Sequence, residues 1–386
     1  MNTVIEIITC IAVLLCLIYT VMIARFGYGW IMSNPPAYDN KDHDIFVTII
    51  VPVRNEADFV EYPLDTLLNQ SYAKTHFEII VVDDHSTDNT IELIQKKCAE
   101  HKLLKLIKNN GEGKKSAIES AIIISTAELI ITVDADCFVT ENWLSEIIYF
   151  YKQTQAKMIV APVYIPDSDG ALSTKLQSLE FMALMISGGG ALYFKNAIMC
   201  NGANLAYTRK VFLEVNGFEG INQTATGDDV LLMYKIKKKY PDGIKFLKSE
   251  NAIVSTNPAF TFNEFINQRK RWASKKFNDL NTETKLTSLV VYFFSLFLIV
   301  LPLAALFNPV ATLAGLPVIK IFILLFATKC MIDFLLLLLA TSFFKERKLL
   351  LYFLPEQIIY IFYVVIIGFM GMNRNYEWKE RTINEK

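Results

Sequence analysis

Histidine is scarce in this chain, with four residues in 386 and no pair at zinc-ligand spacing, which argues against a zinc hydrolase. Cysteine supplies no framework either. Cys10, Cys16 and Cys330 fall in oily runs and Cys98, Cys137 and Cys200 are widely separated with no C-x-x-C pair, so the six read as isolated, reduced thiols. Charge of one sign is also missing: 38 basic against 39 acidic residues leave a net charge of −1, without the basic domain of a nucleic-acid binder. Few intramembrane charges and no visible internal repeat disfavour a transporter.

Long apolar runs, by contrast, are present at both ends. Residues 4–24 make up about the ~20 residues a membrane-crossing helix needs, with Glu6 as their one charge. No basic residue precedes them and no small-x-small site follows, so a retained helix is expected rather than a cleaved signal, anchored by Arg25, Tyr28 and Trp30. Residues 286–307, 318–344 and 349–372 are further spans, the last interrupted by Pro355 and Glu356. Lys329 and Asp333, at i and i+4 inside the second of these, are expected to pair with each other or to face other helices. The expected division is a membrane helix over 1–27, a polar domain over 45–280, about three membrane helices over 285–372 and a polar tail over 373–386.

Basic residues predict sidedness. Arg25, "QRKRWASKK" and "KERK" fall on one side, so the polar domain is expected in the cytoplasm, with the chain integral to the cell (inner) membrane. The tail, with Arg374, Lys379, Arg381 and Lys386, breaks the pattern if three C-terminal segments cross. Either one segment is re-entrant or the rule fails here.

Between the oily ends, strand-like and helix-like stretches alternate four times, beginning with "IFVTIIVPVRNE", "FEIIVVDDHSTDNT", "LLKLIKNN" and "ELIITVDAD" as the strands. Such alternation predicts an α/β domain with a parallel sheet and helices on both faces, whose ligand crevice lies outside the carboxyl ends of the strands. The polar clusters "RNE", "DDHSTD" and "DAD" all fall at that edge. Asp and Ser also cap helices there, so any one of them could be structural. Asp134 and Asp136, at i and i+2, can reach one oxygen-preferring cation such as Mg²⁺ or Mn²⁺.

The stretch 45–275 resembles the family 2 glycosyltransferases in five motifs taken in order: "TIIVPVRNE", "VVDDHSTDNT", "VDAD", "TGDD" and "QRKRW", the last fitting the Q-[Q/R]-x-R-W pattern of the membrane-bound branch. The resemblance implies a GT-A nucleotide-diphospho-sugar transferase domain with a mixed, mainly parallel sheet, and membrane helices at both ends. It implies that Pro52, Arg54, Asn55 and Glu56 shape the nucleotide pocket and that Asp83 and Asp84 hold base and ribose. Lys114, with Lys115 as its alternative, would lie near the nucleotide. Asp134 and Asp136 would hold the metal on the donor diphosphate. Gly202 and Asn204 of "CNGAN" would lie near the donor sugar, although a tight turn explains them equally. Asp229 is implied as the base that deprotonates the acceptor hydroxyl, with Asp228 as second candidate, while helix capping is the plainer account of both. Gln268, Arg271 and Trp272 would close over diphosphate and acceptor, Arg271 stabilising the leaving nucleotide.

Residues 262–277 also read as a basic amphipathic helix lying on anionic lipid. Residues 172–194 read either as an interfacial helix forming an acceptor entrance or as a buried core helix. The resulting expectation is a metal-dependent, inverting glycosyltransferase. It would use a nucleotide-sugar donor, a UDP-sugar by preference, and a lipid or lipid-linked glycan acceptor, with membrane lipids and no nucleic acid as partners. A processive polysaccharide synthase and a catalytically silent membrane scaffold are the alternatives.

Overall fold

A computed structural model describes residues 2–35, 44–221, 227–274, 279–371, 375–378 and 381–384. Residues 222–226 and the basic positions Lys275, Lys276, Arg374, Lys379 and Lys386 lie outside that set. The chain opens with α1 (Asn2–Met32), then alternates β1 (Val47–Val53), α2 (Glu61–Leu68), β2 (Phe77–Asp83), α3 (Thr90–Glu100), β3 (Leu104–Lys108), α4 (Gly113–Ile124) and β4 (Leu129–Thr132). There follow β5 (Phe138–Val139), α5 (Trp143–Thr154), β6 (Met158–Val160), β7 (Val163–Tyr164), α6 (Leu172–Tyr193), β8 (Leu205–Thr208), α7 (Arg209–Glu214), α8 (Asp228–Lys239), β9 (Ile244–Phe246), β10 (Val254–Ser255) and α9 (Phe262–Ala273). The last part holds α10 (Thr282–Phe307), β11 (Thr312–Leu313), β12 (Leu316–Pro317), α11 (Val318–Phe343), a 3-10 turn (Arg347–Tyr352), α12 (Phe353–Met370), β13 (Asn375–Trp378) and β14 (Arg381–Asn384).

The main sheet runs β3-β2-β1-β4-β8-β6-β9. β3, β2, β1 and β4 are parallel, β8 is antiparallel to both β4 and β6, and β9 is parallel to β6. Both faces are apolar, which is why the strand sequences run oily without alternation. Ile49, Val51, Ile79 and Ile131 enter the core shared with α2 and α5, through Leu64 and Ile147. Ile50, Ile80, Val82 and Ile130 enter the opposite core, with Ile118 of α4 and Val230 and Met233 of α8. The first core continues without a break into Phe26 and Trp30 of α1.

Among the described residues four helices are long and apolar enough, by length and composition, to cross a membrane. α1 reaches past the expected residue 27 because Trp30 packs edge-on to Phe246 and Phe343, with centroids 5.6 and 5.0 Å away. Its other end meets the far end of α10, where Asn308 Nδ2 donates to Asn2 Oδ1 at 2.7 Å. α10 is tied to the sheet domain by Thr284 Oγ1 donating to Ile198 O at 3.0 Å, and the segment after α11 by Phe344 stacked on Tyr164 at 5.3 Å. α1, α10 and α11 thus each run from the sheet domain to the far end. α12 runs otherwise. It follows the 3-10 turn at the domain end, sets Tyr363 against Phe265 of α9 at 5.5 Å, and brings Gly371 against Ala273, the last residue of α9. Both of its ends therefore lie at the domain side, and β13, paired with β14, packs back on α9.

α6 is buried in its second half and packs on α1 and α11. Its glycines permit a backbone contact: a Cβ on Gly190 would stand 1.9 Å from Phe26 O, and one on Gly29 2.2 Å from Gly190 O. Of the two readings of 172–194, the buried helix describes this placement. Residues 197–204 form a loop and turn that precede β8. Asn204 fixes that turn internally by accepting from Trp143 Nε1 and donating to Pro162 O and Ala252 O.

Candidate active site

At the carboxyl end of β4 the chain leaves the sheet at Val133, and Ala135 is buried between the two acids. Lys114, in the first turn of α4, reaches the first of them and an acid of α8: its Nζ lies 2.5 Å from Asp134 Oδ1 and 3.7 Å from Asp228 Oδ2. The start of α4 is held for this by Asp84, whose Oδ1 accepts from Gly113 N at 2.9 Å and Asn109 Nδ2 at 2.7 Å. Gly113 itself stands at φ +84°, a backbone that glycine takes without strain. Lys115, the alternative, points elsewhere and donates to Ile221 O.

Asp228 and Asp229 open α8 after Gly227 at φ +75°. Asp229 Oδ2 accepts from Gly202 N at 3.1 Å and Oδ1 from Val230 N at 2.7 Å, so the acid is fixed by backbone on both oxygens. A Cβ on Gly202 would meet Lys114 Nζ at 3.1 Å and Asp228 Oδ2 at 3.5 Å, which explains glycine there. Burial by itself would lower the Lys114 pKa, but Asp134, Asp228 and Asp229 outweigh it and hold the ammonium above its ordinary range. Burial pushes Asp228 up; Lys114 opposes this while Asp229 and Asp134 reinforce it. Cys137, beside Asp136, is pushed up first by burial and then by the two acids, so it stays a thiol.

The loops after β1 and β2 are tied to each other. Arg54 Nη1 donates to Asp84 O and His85 O, both at 2.7 Å, and Glu56 N donates to Thr90 Oγ1 at 2.8 Å. Pro52, Arg54, Glu56 and Asp84 line the same cleft as the acid cluster. Asn55 and Asp83 do not: Asn55 Oδ1 accepts from Thr87 N at 2.9 Å, and Asp83 Oδ1 accepts from Ser86 N at 3.1 Å, closing its own turn. Asn204 is fully buried and also absent from the cleft, where Asn201, Gly202 and Ala203 stand instead. Gln268, Arg271 and Trp272 of α9 also line it.

The motif's first arginine was not singled out from the sequence. Arg269 is 1% exposed, its Nη2 donates to Glu180 Oε2 at 2.6 Å, and its Cζ lies 4.2 Å from the Trp272 ring centre. The signal for it was available: Glu180 is one of two charges, with Lys175, that interrupt the apolar run of α6, and a buried acid needs a partner.

The lining groups open on one cavity of about 1240 Å³ that continues from Asp84 and Asp134, past Asp229 and Arg271, to Tyr19, Asp333, Glu356 and Tyr360 between the apolar helices. Its polar end is a bonded cluster. Lys329 Nζ donates to Asp333 Oδ2 and Tyr19 OH to Asp333 Oδ1, both at 2.7 Å. Among the described residues no three His, Cys, Asp or Glu side chains form a ready metal cage. Asp134, with its side chain 38% exposed, and Asp136, which accepts from Thr256 Oγ1 at 3.3 Å, are hard oxygen ligands at the cleft. Such a pair fits a cation bound jointly with a diphosphate, whose oxygens and water complete the shell.

Residues 48–215 match the family model for glycosyl transferase family 2. The chain is 25% identical over 273 residues to a "Probable glycosyltransferase YdaM" of Bacillus subtilis, an alignment covering 67% of this chain and 62% of that one. It is 23% identical over 166 residues to a "Beta-monoglucosyldiacylglycerol synthase" of Nostoc, covering 42% of this chain and 36% of that one. The chain thus spans less than two thirds of the length of these relatives. Among solved structures, a mannosyltransferase of Pyrobaculum calidifontis in complex with GDP-Man and Mn²⁺ superposes with a TM-score of 0.58 at 17% identity, over 96% of this chain and 99% of that one. The shared fold is GT-A.

Proposed function

We propose that this chain, a family 2 glycosyltransferase with a GT-A fold, transfers a sugar from a nucleotide-sugar to a lipid or lipid-linked glycan at the cytoplasmic membrane face. The observation that carries the reading is the single cavity joining the acids at the strand ends to the apolar helices. A water-soluble acceptor needs no such continuity, whereas an amphiphile must reach the donor without leaving the bilayer.

The chemistry follows from the placement. The acceptor hydroxyl attacks the anomeric carbon, the bond from that carbon to the nucleotide diphosphate breaks, and the configuration inverts. Asp229, held by two backbone N–H groups, takes the hydroxyl proton. Asp228, whose proton affinity is raised, remains the second candidate and spares the cluster one charge when protonated. Lys114 and Arg271 face the departing diphosphate and stabilise its charge. Asp134 and Asp136 would hold Mg²⁺ or Mn²⁺, which supplies further charge neutralisation there when bound. Pro52, Arg54, Glu56 and Asp84 shape the nucleotide end, while Asn55 and Asp83 act by holding the loops that carry them.

The test is nucleotide release from a panel of UDP-, GDP- and CMP-sugars by the purified chain in lipid, with Mg²⁺ or Mn²⁺. Turnover of one donor that falls by about 10³-fold in Asp136→Ala and Asp229→Ala is expected. Absence of turnover or binding of every donor would sink the transferase reading and leave a silent scaffold.

A further inference from the structure

Asp134 serves two cations. Its Oδ1 lies 2.5 Å from Lys114 Nζ, and it is also one of the two hard oxygen ligands that the cleft offers to a divalent ion. Asp136 is met differently, by the neutral hydroxyl of Thr256 at 3.3 Å. The ammonium is confined where it stands. Asp228 Oδ2 lies 3.7 Å away on α8, and Gly202 closes another side so tightly that a Cβ there would come within 3.1 Å of Nζ. The root of the side chain is fixed as well: Gly113 N and Asn109 Nδ2 both donate to Asp84 Oδ1, while the Asp84 carbonyl accepts from Arg54 Nη1. The loops at the nucleotide end of the cleft are thus tied to the residue next to Lys114. Beyond that root, the flexible stem of a lysine lets the charged end turn from one anion to another.

We propose that Lys114 makes cation binding conditional on the donor diphosphate: it competes with Mg²⁺ or Mn²⁺ for Asp134, and a diphosphate relieves the competition by drawing the ammonium to itself. A carboxylate has a second oxygen, so the competition is not for space alone. It is chiefly electrostatic. A divalent ion on Asp134 has the ammonium as its neighbour, and like charges in a partly buried cleft repel more than they do in water. The size follows from acids, whose proton affinity one neighbouring charge moves by about one to three powers of ten; a divalent ion feels the same field with twice the charge. A diphosphate offers the ammonium other oxygens, and lysine binds phosphate as a point charge that can move to it. Asp134 then turns to the cation. By linkage, the cation strengthens diphosphate binding by the factor the diphosphate strengthens cation binding. The inference rests on the transferase reading for the diphosphate, but not for the competition between Lys114 and the cation.

The experiment is a Mn²⁺ titration of the purified full-length protein in uncharged detergent, read by the electron paramagnetic resonance of the free ion, first with Mn²⁺ alone and then with UDP or GDP. Alone, Lys114→Met is expected to bind Mn²⁺ more tightly than the parent by about tenfold or more. Lys114→Arg, which keeps the charge, is expected to stay near the parent. Asp136→Ala, by itself and combined with Lys114→Met, is expected to remove the binding, which assigns it to this cleft. The factor by which a nucleotide tightens Mn²⁺ is expected to be smaller in Lys114→Met than in the parent, again by about tenfold. Should Lys114→Met fail to fold, Lys114→Gln carries the same expectations. Equal or weaker Mn²⁺ binding by the folded variant, or a gain that Lys114→Arg shares, would overturn the inference. If no donor or nucleotide binds, the transferase reading falls while the titration with Mn²⁺ alone still decides this one; donor turnover with a Mn²⁺ affinity unmoved in Lys114→Met would do the reverse.

Discussion

Replacing Lys114 by alanine tests whether the acids at the strand ends form one electrostatic unit. The ammonium contacts Asp134 at 2.5 Å and Asp228 at 3.7 Å, with Asp229 adding to its stabilisation. Removing one partner of a fully buried ion pair costs about 3–5 kcal/mol. Here the Lys114 and Asp134 side chains are 20% and 38% exposed, so solvent relieves part of that cost. About 2 kcal/mol is expected, a fall in Tm of about 4–8 °C for a domain of this size. The deficit should also depend on pH. Lys114, raised above its ordinary value, stays charged well past neutrality and contributes evenly across the range used. Asp228 is raised, so its contribution is fully present below the ordinary Asp pKa and is lost as pH rises through the folded value. Without Lys114, the group that opposes this rise, Asp228 is pushed higher still. The difference between variant and parent should therefore be largest near about pH 8 and shrink toward about pH 5. Thermal unfolding in detergent across that range, with and without Mn²⁺, reads it, and Lys114→Gln controls for side-chain volume. Mn²⁺ held by Asp134 and Asp136 should restore part of the loss. A deficit constant with pH and indifferent to the cation would show that Lys114 acts by packing and that the acids are not coupled.

Gly190→Leu should separate α1 from α6, since a Cβ there would already stand 1.9 Å from Phe26 O; a loss of roughly 3 kcal/mol, seen as a lower Tm, is expected. Glu180→Gln leaves Arg269, 1% exposed, without its counter-charge and should cost about 3 kcal/mol, whereas Glu180→Gln combined with Arg269→Gln should recover much of it in the same assay. Cysteines introduced at Lys345 and Thr382 should both react with an impermeant maleimide from the face that carries the sheet domain, because α12 runs beside α9 and does not lead away from it. Labelling of the two from opposite faces would show that α12 crosses.

That placement bears on what the sequence could reveal about the membrane part. Length and hydropathy mark four candidate helices, and all four exist. Neither quantity reports direction. Composition treats α12 as a span, yet Glu356, Gln357 and Tyr360 face the polar cluster while Ile358, Phe362 and Phe369 are exposed. The basic tail was the one clue, because three C-terminal crossings would have set it on the side without the other basic loops. A helix that returned along α9 instead of crossing would remove the conflict, which the labelling at Lys345 and Thr382 tests. In the sheet domain, β-branched runs ending in acids made the first four strands readable, since parallel strands buried on both faces leave an unbroken oily signature. The short strands β5, β7 and β10 carry no such signature and are formed by pairing alone.

Within the site, a motif names positions but not the direction in which each side chain works. Asp83 and Asp84 are adjacent and chemically identical, and only the register of β2 decides that one closes its turn while the other holds the start of α4. Asn204 has the chemistry of a sugar ligand, yet all its hydrogen bonds are spent inside, on Trp143, Pro162 and Ala252. Lys114 and Lys115 differ by one step of about 100° around a helix, enough to send one to the acids and the other to Ile221 O. The part of the cavity between the apolar helices was the least legible because its polar groups come from α1, α6, α9, α11 and α12, remote in sequence. Each looked like an isolated charge in an oily run. Buried charges are costly unless paired, so Glu180, Lys329, Asp333 and Glu356 in apolar segments implied partners even before those partners could be named. The packing supplies those partners, Glu180 with Arg269 and Lys329 with Asp333.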